Sequence, residues 1–322
     1  MRGLRVGTRR SALAKQQTQQ VVEALQRERP DLGVEVVEVV TKGDRIVDRS
    51  LSEVGGKGLF VSEIEAMLAD KTIDFAVHSM KDVPAELAPG LVLGAIPRRA
   101  DPRDLLVSAS GAGLDDLPQG ARVGTSSLRR SALLLAKRRD LEVVSLRGNI
   151  DTRLRKLAEL DAIVLAAAGL VRMGWWDGKH VTVAADLVYK AWPMPVGTFL
   201  PAVGQGALAL ECRADDEFTL GALGSLHDPV AEAETLAERA FLAAVGGSCQ
   251  VPVAAYARML EGDVNTLRVQ GFVGLPDGSA ALFDEVSGKA GAALGERLAA
   301  TLLTRGGREI LEQIERKAAG WQ

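Results

Sequence analysis

The sequence predicts an α/β protein that ends in a smaller α+β segment. Three observations support this. Over about the first two hundred of 322 residues, short apolar runs alternate with amphipathic helical stretches, as in sheets buried on both faces. That alternation comes as two series, divided near Asp101-Pro-Arg-Asp104. The last hundred or so residues change order, to one helix, three strands and two closing helices.

In the first series, Leu4–Val6 predicts a strand and Ser11–Arg27 a helix with Leu13, Val21, Val22 and Leu25 on its apolar face. Val34–Val40 predicts a strand, Gly58–Ala69 a helix carrying Leu59, Ile64, Met67 and Leu68, and Phe75–Val77 a strand. In the second series, strands are predicted at Leu105–Val107, Arg122–Val123, Leu141–Ser145 and Ala162–Leu165. Helices are predicted at Ser127–Lys137 and Asn149–Leu157. The Gly- and Pro-rich stretch Pro193–Gly206 reads as a connection, and Gly206–Cys212 as a further strand. The C-terminal segment predicts a helix at Val230–Ala244 and strands at Val251–Ala257, Leu267–Val273 and Ala280–Glu285. Helices at Ala290–Leu303 and Gly307–Ala318 follow, and Leu275-Pro-Asp-Gly278 has hairpin-turn chemistry.

Composition excludes several classes. The formal net charge is -3 and aromatics make up 4%, so a general nucleic-acid surface is not expected and any anion site must be local. No run approaches the roughly 18 apolar residues of a membrane span, and the N-terminus has no signal-peptide pattern. The expectation is a cytoplasmic protein. Two cysteines, Cys212 and Cys249, and three histidines are too scattered for a metal site. Val54-Gly-Gly-Lys-Gly58 lacks the P-loop spacing, so no nucleotide site is expected either.

Polar clusters follow several predicted strands, where open α/β sheets bind their ligands. Thr8-Arg-Arg-Ser11 follows the first strand and Ser79-Met-Lys-Asp82 follows Phe75–Val77. Thr125–Arg130 follows Val123, and Arg147–Arg153 follows Leu141–Ser145. Arg9, Arg129, Arg130, Arg147 and Arg153 therefore fall at strand ends and helix starts. Adjacent guanidinium groups such as Arg129 and Arg130 repel, so an anion must favour the pair. The planar fork suits a carboxylate, and phosphate is equally compatible. The Gly-rich, charged stretch Thr41–Lys57 reads as a mobile loop, with Lys42, Gly43, Asp44, Gly55, Gly56 and Lys57 as a lid. Cys249, in Gly246-Gly-Ser-Cys-Gln-Val-Pro252, is a candidate reactive thiol, whereas Cys212 at the end of an apolar strand reads as core.

The motifs GTRRSALA, TKGD, GGKGLF, HSMKDVP, DPRD, GTSSLRR, SLRGNIDTRL, LPAVGQGAL and GGSCQVP, in this order, resemble the porphobilinogen deaminase family over roughly residues 5–256. The resemblance implies two domains like the halves of type II periplasmic binding proteins, with the active cleft between them, plus a small α+β C-terminal domain. The implied division is residues 1–100 with 201–222, residues 101–200, and residues 223–322. The implied reaction joins four porphobilinogen molecules head to tail, releasing ammonia, on a dipyrromethane cofactor held by a thioether at Cys249, and ends by hydrolysis to hydroxymethylbilane. Ser248 before the thiol departs from the commoner Gly-Gly-Cys.

The resemblance further implies that Asp82 is catalytic. Lys81, Ser79, Thr125, Ser127, Arg129, Arg130 and Arg147 bind the cofactor. Arg9, Ser11, Gln17, Ser126, Arg147, Arg153 and Gln205 bind substrate. No metal is implied. A monomer is implied, as is delivery of product to uroporphyrinogen-III synthase. The competing reading is a non-catalytic, two-lobed anion-binding module.

Overall fold

The structure is a computed structural model that describes residues 3–41, 61–184, 187–246 and 251–319. The described chain forms two compact units, residues 1–100 with 206–232, and residues 101–205 with 233–322.

The first unit opens with β1 (Leu4–Arg9), α1 (Ala12–Glu28), β2 (Val34–Val39), α2 (Ser62–Ala69) and β3 (Phe75–Ser79). A 3-10 turn over Met80–Asp82 leads to β4 (Leu91–Ala95), after which the chain leaves for the second unit. That unit contains β5 (Asp104–Ser108), β6 (Arg122–Gly124), α3 (Leu128–Lys137), β7 (Glu142–Val144), α4 (Ile150–Arg155) and β8 (Ala162–Ala166). It continues with α5 (Ala167–Arg172), β9 (His180–Ala184) and β10 (Leu187–Pro193). The chain returns to the first unit as β11 (Leu208–Arg213) and α6 (Glu217–Gly224). It then runs through α7 (Pro229–Ala244) into β12 (Val253–Leu260), β13 (Asp263–Gly274), β14 (Ala281–Lys289), α8 (Ala292–Leu302) and α9 (Arg308–Ala319).

The two α/β sheets share one strand order. The first runs β2-β1-β3-β11-β4 and the second β7-β6-β8-β5-β10-β9. In each, three strands lie mutually parallel (β2, β1, β3 and β7, β6, β8). The next strand, β11 or β5, is antiparallel to its neighbour β3 or β8. These two sheets form the α/β part, and the three-stranded sheet β12-β13-β14 is the smaller α+β part. Strands covered on both faces read as continuous apolar runs. Phe75, Leu105, Leu106, Val107, Ile163, Val164 and Leu210 are accordingly buried.

Within the second unit one core joins the α/β sheet to the C-terminal sheet. Val123, Leu133, Leu134 and Val164 cluster with Ala254 and Phe272. Gly278, in the predicted hairpin turn, has φ of 68° and its amide donates to Leu275 O at 2.9 Å. It meets α3 so closely that a Cβ would lie 2.4 Å from Ala136 N. Helix α3 is thus held between two sheets, and its N-terminal end carries Arg129 and Arg130.

Several elements differ from expectation. Strands β4, β9 and β10 and helices α5 and α6 are additions, because their short or mixed sequences give no clear period. The strand expected over Leu141–Ser145 narrows to Glu142–Val144. The helix expected over Asn149–Leu157 stops at Arg155 and tightens into a 3-10 turn, Lys156–Glu159. The first C-terminal strand starts later and runs longer, Val253–Leu260. No helix among the described residues is long and apolar enough to cross a membrane.

Candidate active site

In the first unit, strand ends and helix starts gather six of the expected residues. Ser11 caps α1, its Oγ accepting from Ala14 N at 3.2 Å, as expected of a helix N-cap. Arg9 closes β1 half-buried, and Gln17 is buried on α1. The Gln17 amide donates from Nε2 to Ser79 Oγ at 3.1 Å, fixing the hydroxyl at the end of β3. Beside it the Thr18 hydroxyl donates to Thr8 Oγ1 at 2.8 Å.

The turn after β3 is anchored by Met80, which is buried and donates its amide to Ala207 O at 3.0 Å. Val83 N closes the turn on Met80 O at 3.1 Å. With Met80 turned inward, Lys81 and Asp82 are presented half-buried, consecutive and opposite in charge. Behind this turn lies a buried pair that sequence reading did not find, with His78 Nε2 2.9 Å from Glu211 Oε2.

The second unit holds the other set. Gly124 ends β6 where a Cβ would lie 2.7 Å from Leu160 Cδ1, so a larger residue would collide with that side chain. Thr125 is buried; its amide donates to Val144 O at 2.9 Å and its Oγ1 accepts from Ser127 N at 3.2 Å. Ser127 caps α3, accepting from Arg130 N at 3.4 Å. The Ser126 hydroxyl donates to Leu146 O at 2.8 Å and lies 3.0 Å from Ser145 Oγ, so it ties two loops together.

Arg129 and Arg130 face an internal carboxylate. Both are buried, and both reach Asp104, the first residue of β5, which is fully buried. Arg129 Nη1 lies 2.8 Å from Asp104 Oδ2, and Arg130 donates from Nη2 at 2.7 Å and Nε at 3.2 Å to Oδ1. Each arginine also donates to a backbone carbonyl, Arg129 to Leu200 O at 2.6 Å and Arg130 to Val164 O at 2.8 Å. Gln205 completes the cluster, its Nε2 donating to Asp104 Oδ1 at 2.9 Å and Pro102 O at 2.7 Å. Burial alone would raise the Asp104 pKa; the two guanidiniums overcome it and hold the carboxyl well below the usual carboxylate range.

One carboxylate facing two arginines leaves this cluster positive, and its neighbours add to the excess. Arg153 Nε is held by Gly148 O at 2.7 Å. Its pKa is pushed down to about 10, by burial first and then by the charges of Arg130 and Arg147. Burial also lowers Arg129. It lowers Arg172 on α5 to about 10 as well, a half-buried cation that sequence reading did not single out. An anion placed among Arg130, Arg147 and Arg153 would relieve their mutual repulsion.

This donor set fits a polycarboxylate. Every ring of a dipyrromethane carries two carboxylates, and guanidiniums and helix-start hydroxyls are the groups that bind them. Among the described residues no group of His, Cys, Asp and Glu could hold a metal ion. Cys212 is buried in β11, its thiol pushed up to about 11 by burial first and then by Asp216, so it is a poor nucleophile. Cys249 and the expected lid residues Lys42, Gly43, Asp44, Gly55, Gly56 and Lys57 lie outside the described residues.

The chain resembles known proteins over nearly its whole length. The family model "Porphobilinogen deaminase, dipyromethane cofactor binding domain" matches residues 4–220, and that for the porphobilinogen deaminase C-terminal domain matches residues 233–304. The chain is 53% identical to the porphobilinogen deaminase of Brevibacillus brevis over 315 residues, covering 97% of this chain and 98% of the relative. It is 48% identical to that of Bacillus subtilis over 319 residues, covering 98% of each. Among solved structures, the reduced OxyR regulatory domain of Pseudomonas aeruginosa aligns with a TM-score of 0.41 and 13% identity, over 69% of this chain and 95% of that one. Matched over both its α/β part and its C-terminal part, the chain belongs to the porphobilinogen deaminase family, transferases of tetrapyrrole synthesis with a dipyrromethane cofactor.

Proposed function

We propose that this chain is a hydroxymethylbilane synthase in which the first-unit residues do the chemistry and the second-unit arginines hold carboxylates. The observation that carries the division is the positive excess at Arg130, Arg147 and Arg153, set against the single presented carboxylate of the 3-10 turn, Asp82. Dipyrromethane, when bound through Cys249, supplies the nucleophilic pyrrole carbon on which the chain grows. Thr125, Ser127, Lys81, Arg129, Arg130 and Arg147 hold its carboxylates.

Each round breaks the aminomethyl C–N bond of one porphobilinogen, releases ammonia and forms one methylene bridge. Loss of ammonia leaves a cation delocalised over the substrate's pyrrole ring. A carboxylate at the ring N–H stabilises that charge as it develops, which is the role of Asp82. Arg9, Ser11, Gln17, Ser126 and Arg153 orient the incoming substrate through its acetate and propionate groups, and Gln205 acts through Asp104, to which its amide donates. Gln17 acts partly by fixing Ser79 Oγ.

The same proposal includes a cytoplasmic monomer that passes its product to uroporphyrinogen-III synthase. It also includes the three-part division at residues 1–100 with 201–222, 101–200 and 223–322, which the three separate sheets support.

Intact-mass measurement of the purified chain tests the proposal. A mass increase matching one dipyrromethane, absent from Cys249→Ala, is expected together with ammonia release from porphobilinogen. An unmodified, active protein would remove Cys249 from its role. Absence of ammonia release would favour a non-catalytic anion-binding module.

A further inference from the structure

Helix α7 carries two buried glutamates one turn apart, Glu234 and Glu238. Both accept backbone amides from β12. Glu234 Oε1 takes Met259 N at 3.1 Å, and Glu238 Oε1 takes Ala257 N at 2.8 Å. Strand β12 lies at the edge of its sheet, so these amides, two residues apart, have no strand to bond and the carboxylates satisfy them. Glu238, fully buried, uses its other oxygen, and Oε2 accepts Gly204 N at 2.6 Å.

Gly204 belongs to the segment that completes the arginine cluster. Leu200 O, at one end, accepts from Arg129, and Gln205, at the other, donates to Asp104 Oδ1. Val203 packs with Ala237 and Phe241 of α7 and Ala255 of β12, so apolar contact also holds the segment. That contact sets no rotation of the backbone, whereas a hydrogen bond to the Gly204 amide does. Gly204 has φ of 69°, a left-handed conformation that orients its amide.

We propose that Glu238 is a positioning residue for the Arg129–Arg130 pair, acting through Gly204, Gln205 and Asp104. It does so from the helix that precedes the Cys249 connection in the chain, and on the strand that follows it. Two convergent N–H donors, one for each oxygen, call for a carboxylate, since an amide side chain would turn its own N–H toward one of them. This role does not require Glu238 to touch substrate. The inference rests on the reading that the arginine pair holds carboxylates of the cofactor onto which the substrate is added.

The test compares Glu238→Gln with Glu234→Gln in the full-length holoenzyme, with kcat and KM normalised to the cofactor-loaded fraction by intact mass. Both variants are expected to lose thermal stability. Glu238→Gln is expected to raise KM for porphobilinogen about ten-fold, as for one lost hydrogen bond to a charged group, while Glu234→Gln keeps the wild-type KM. In a Gln205→Ala background the KM effect of Glu238→Gln is expected to vanish, because the arm it positions is already missing. Equal KM values for wild type and Glu238→Gln, or effects of Glu238→Gln and Gln205→Ala that multiply, would overturn the proposal. Should the Gln variant fail to fold, Glu238→Asp keeps the charge and shortens the reach, and its KM decides in the same way. A wild-type KM in Gln205→Ala alone would overturn the route through Asp104, whereas absence of the dipyrromethane mass in the wild-type chain would instead overturn the proposed function.

Discussion

Asp104 Oδ1 lies 2.7 Å from Arg130 Nη2, in a site where both side chains are withdrawn from water. The motif that puts two arginines side by side therefore carries its own counter-ion from a different strand. Removing one partner of a buried pair leaves the others uncompensated, at a cost of about 3–5 kcal/mol. Asp104→Ala is expected to lower the thermal midpoint markedly and to reduce dipyrromethane loading. Calorimetry and intact mass check the two effects.

The pH dependence of stability follows from the same carboxylate. Its pKa is depressed in the folded state and near 3.9 in an unfolded chain, about the ordinary value. The unfolded chain therefore binds the proton first as pH falls. The contribution is fully present above about pH 4 and is lost as pH drops toward the folded value. Asp104→Asn is expected to flatten the fall in urea midpoint below about pH 4, relative to wild type.

Asp82→Asn keeps size and hydrogen-bonding capacity but removes the charge from the 3-10 turn. It is expected to leave the fold and porphobilinogen binding intact while kcat falls about 10²–10³-fold, the scale of one lost electrostatic stabiliser. Steady-state ammonia release, with circular dichroism as the control for folding, checks it. A near-normal kcat would take Asp82 out of the mechanism.

Arg147→Leu removes one member of the cation set that lowers Arg153. Enzyme-bound chains shorter than four pyrroles are expected to accumulate, visible as a shifted ladder of covalent masses. An unchanged ladder would refute its role in elongation.

Gly278→Ala probes the packing that seats α3. Its φ of 68° disfavours any side chain, and the new Cβ would meet the helix backbone at 2.4 Å. A loss of about 1–3 kcal/mol is expected, read as a lower urea midpoint.

Much of this was legible in the sequence. Short apolar runs located β1, β2, β3, β5, β8 and β11, because strands covered by packed elements carry apolar side chains. The sequence placed Ser11 and Ser127 at helix starts, and both cap their helices. What stayed hidden is long-range. Asp104 stands in DPRD, next to an apolar strand, and nothing local shows that it meets residues 129 and 130. The need for a nearby anion was the one available signal, and it pointed outward to a ligand as readily as inward. His78 and Glu211 become partners only because β11 returns antiparallel beside β3, and Glu238 looks like any acidic residue on an amphipathic helix. Such pairings are set by topology, which no window of sequence contains.

The shared strand order has a consequence for synthesis on the ribosome. Strand β4 joins the first sheet only through β11, whose residues come more than one hundred positions later. The nascent chain cannot close its first sheet until residue 213 has emerged, by which time every strand of the second sheet has already been made. The domain that begins the chain is therefore finished last of the two. A stall between residues 100 and 205 would leave an apolar β3 edge unpaired and open to association with other chains.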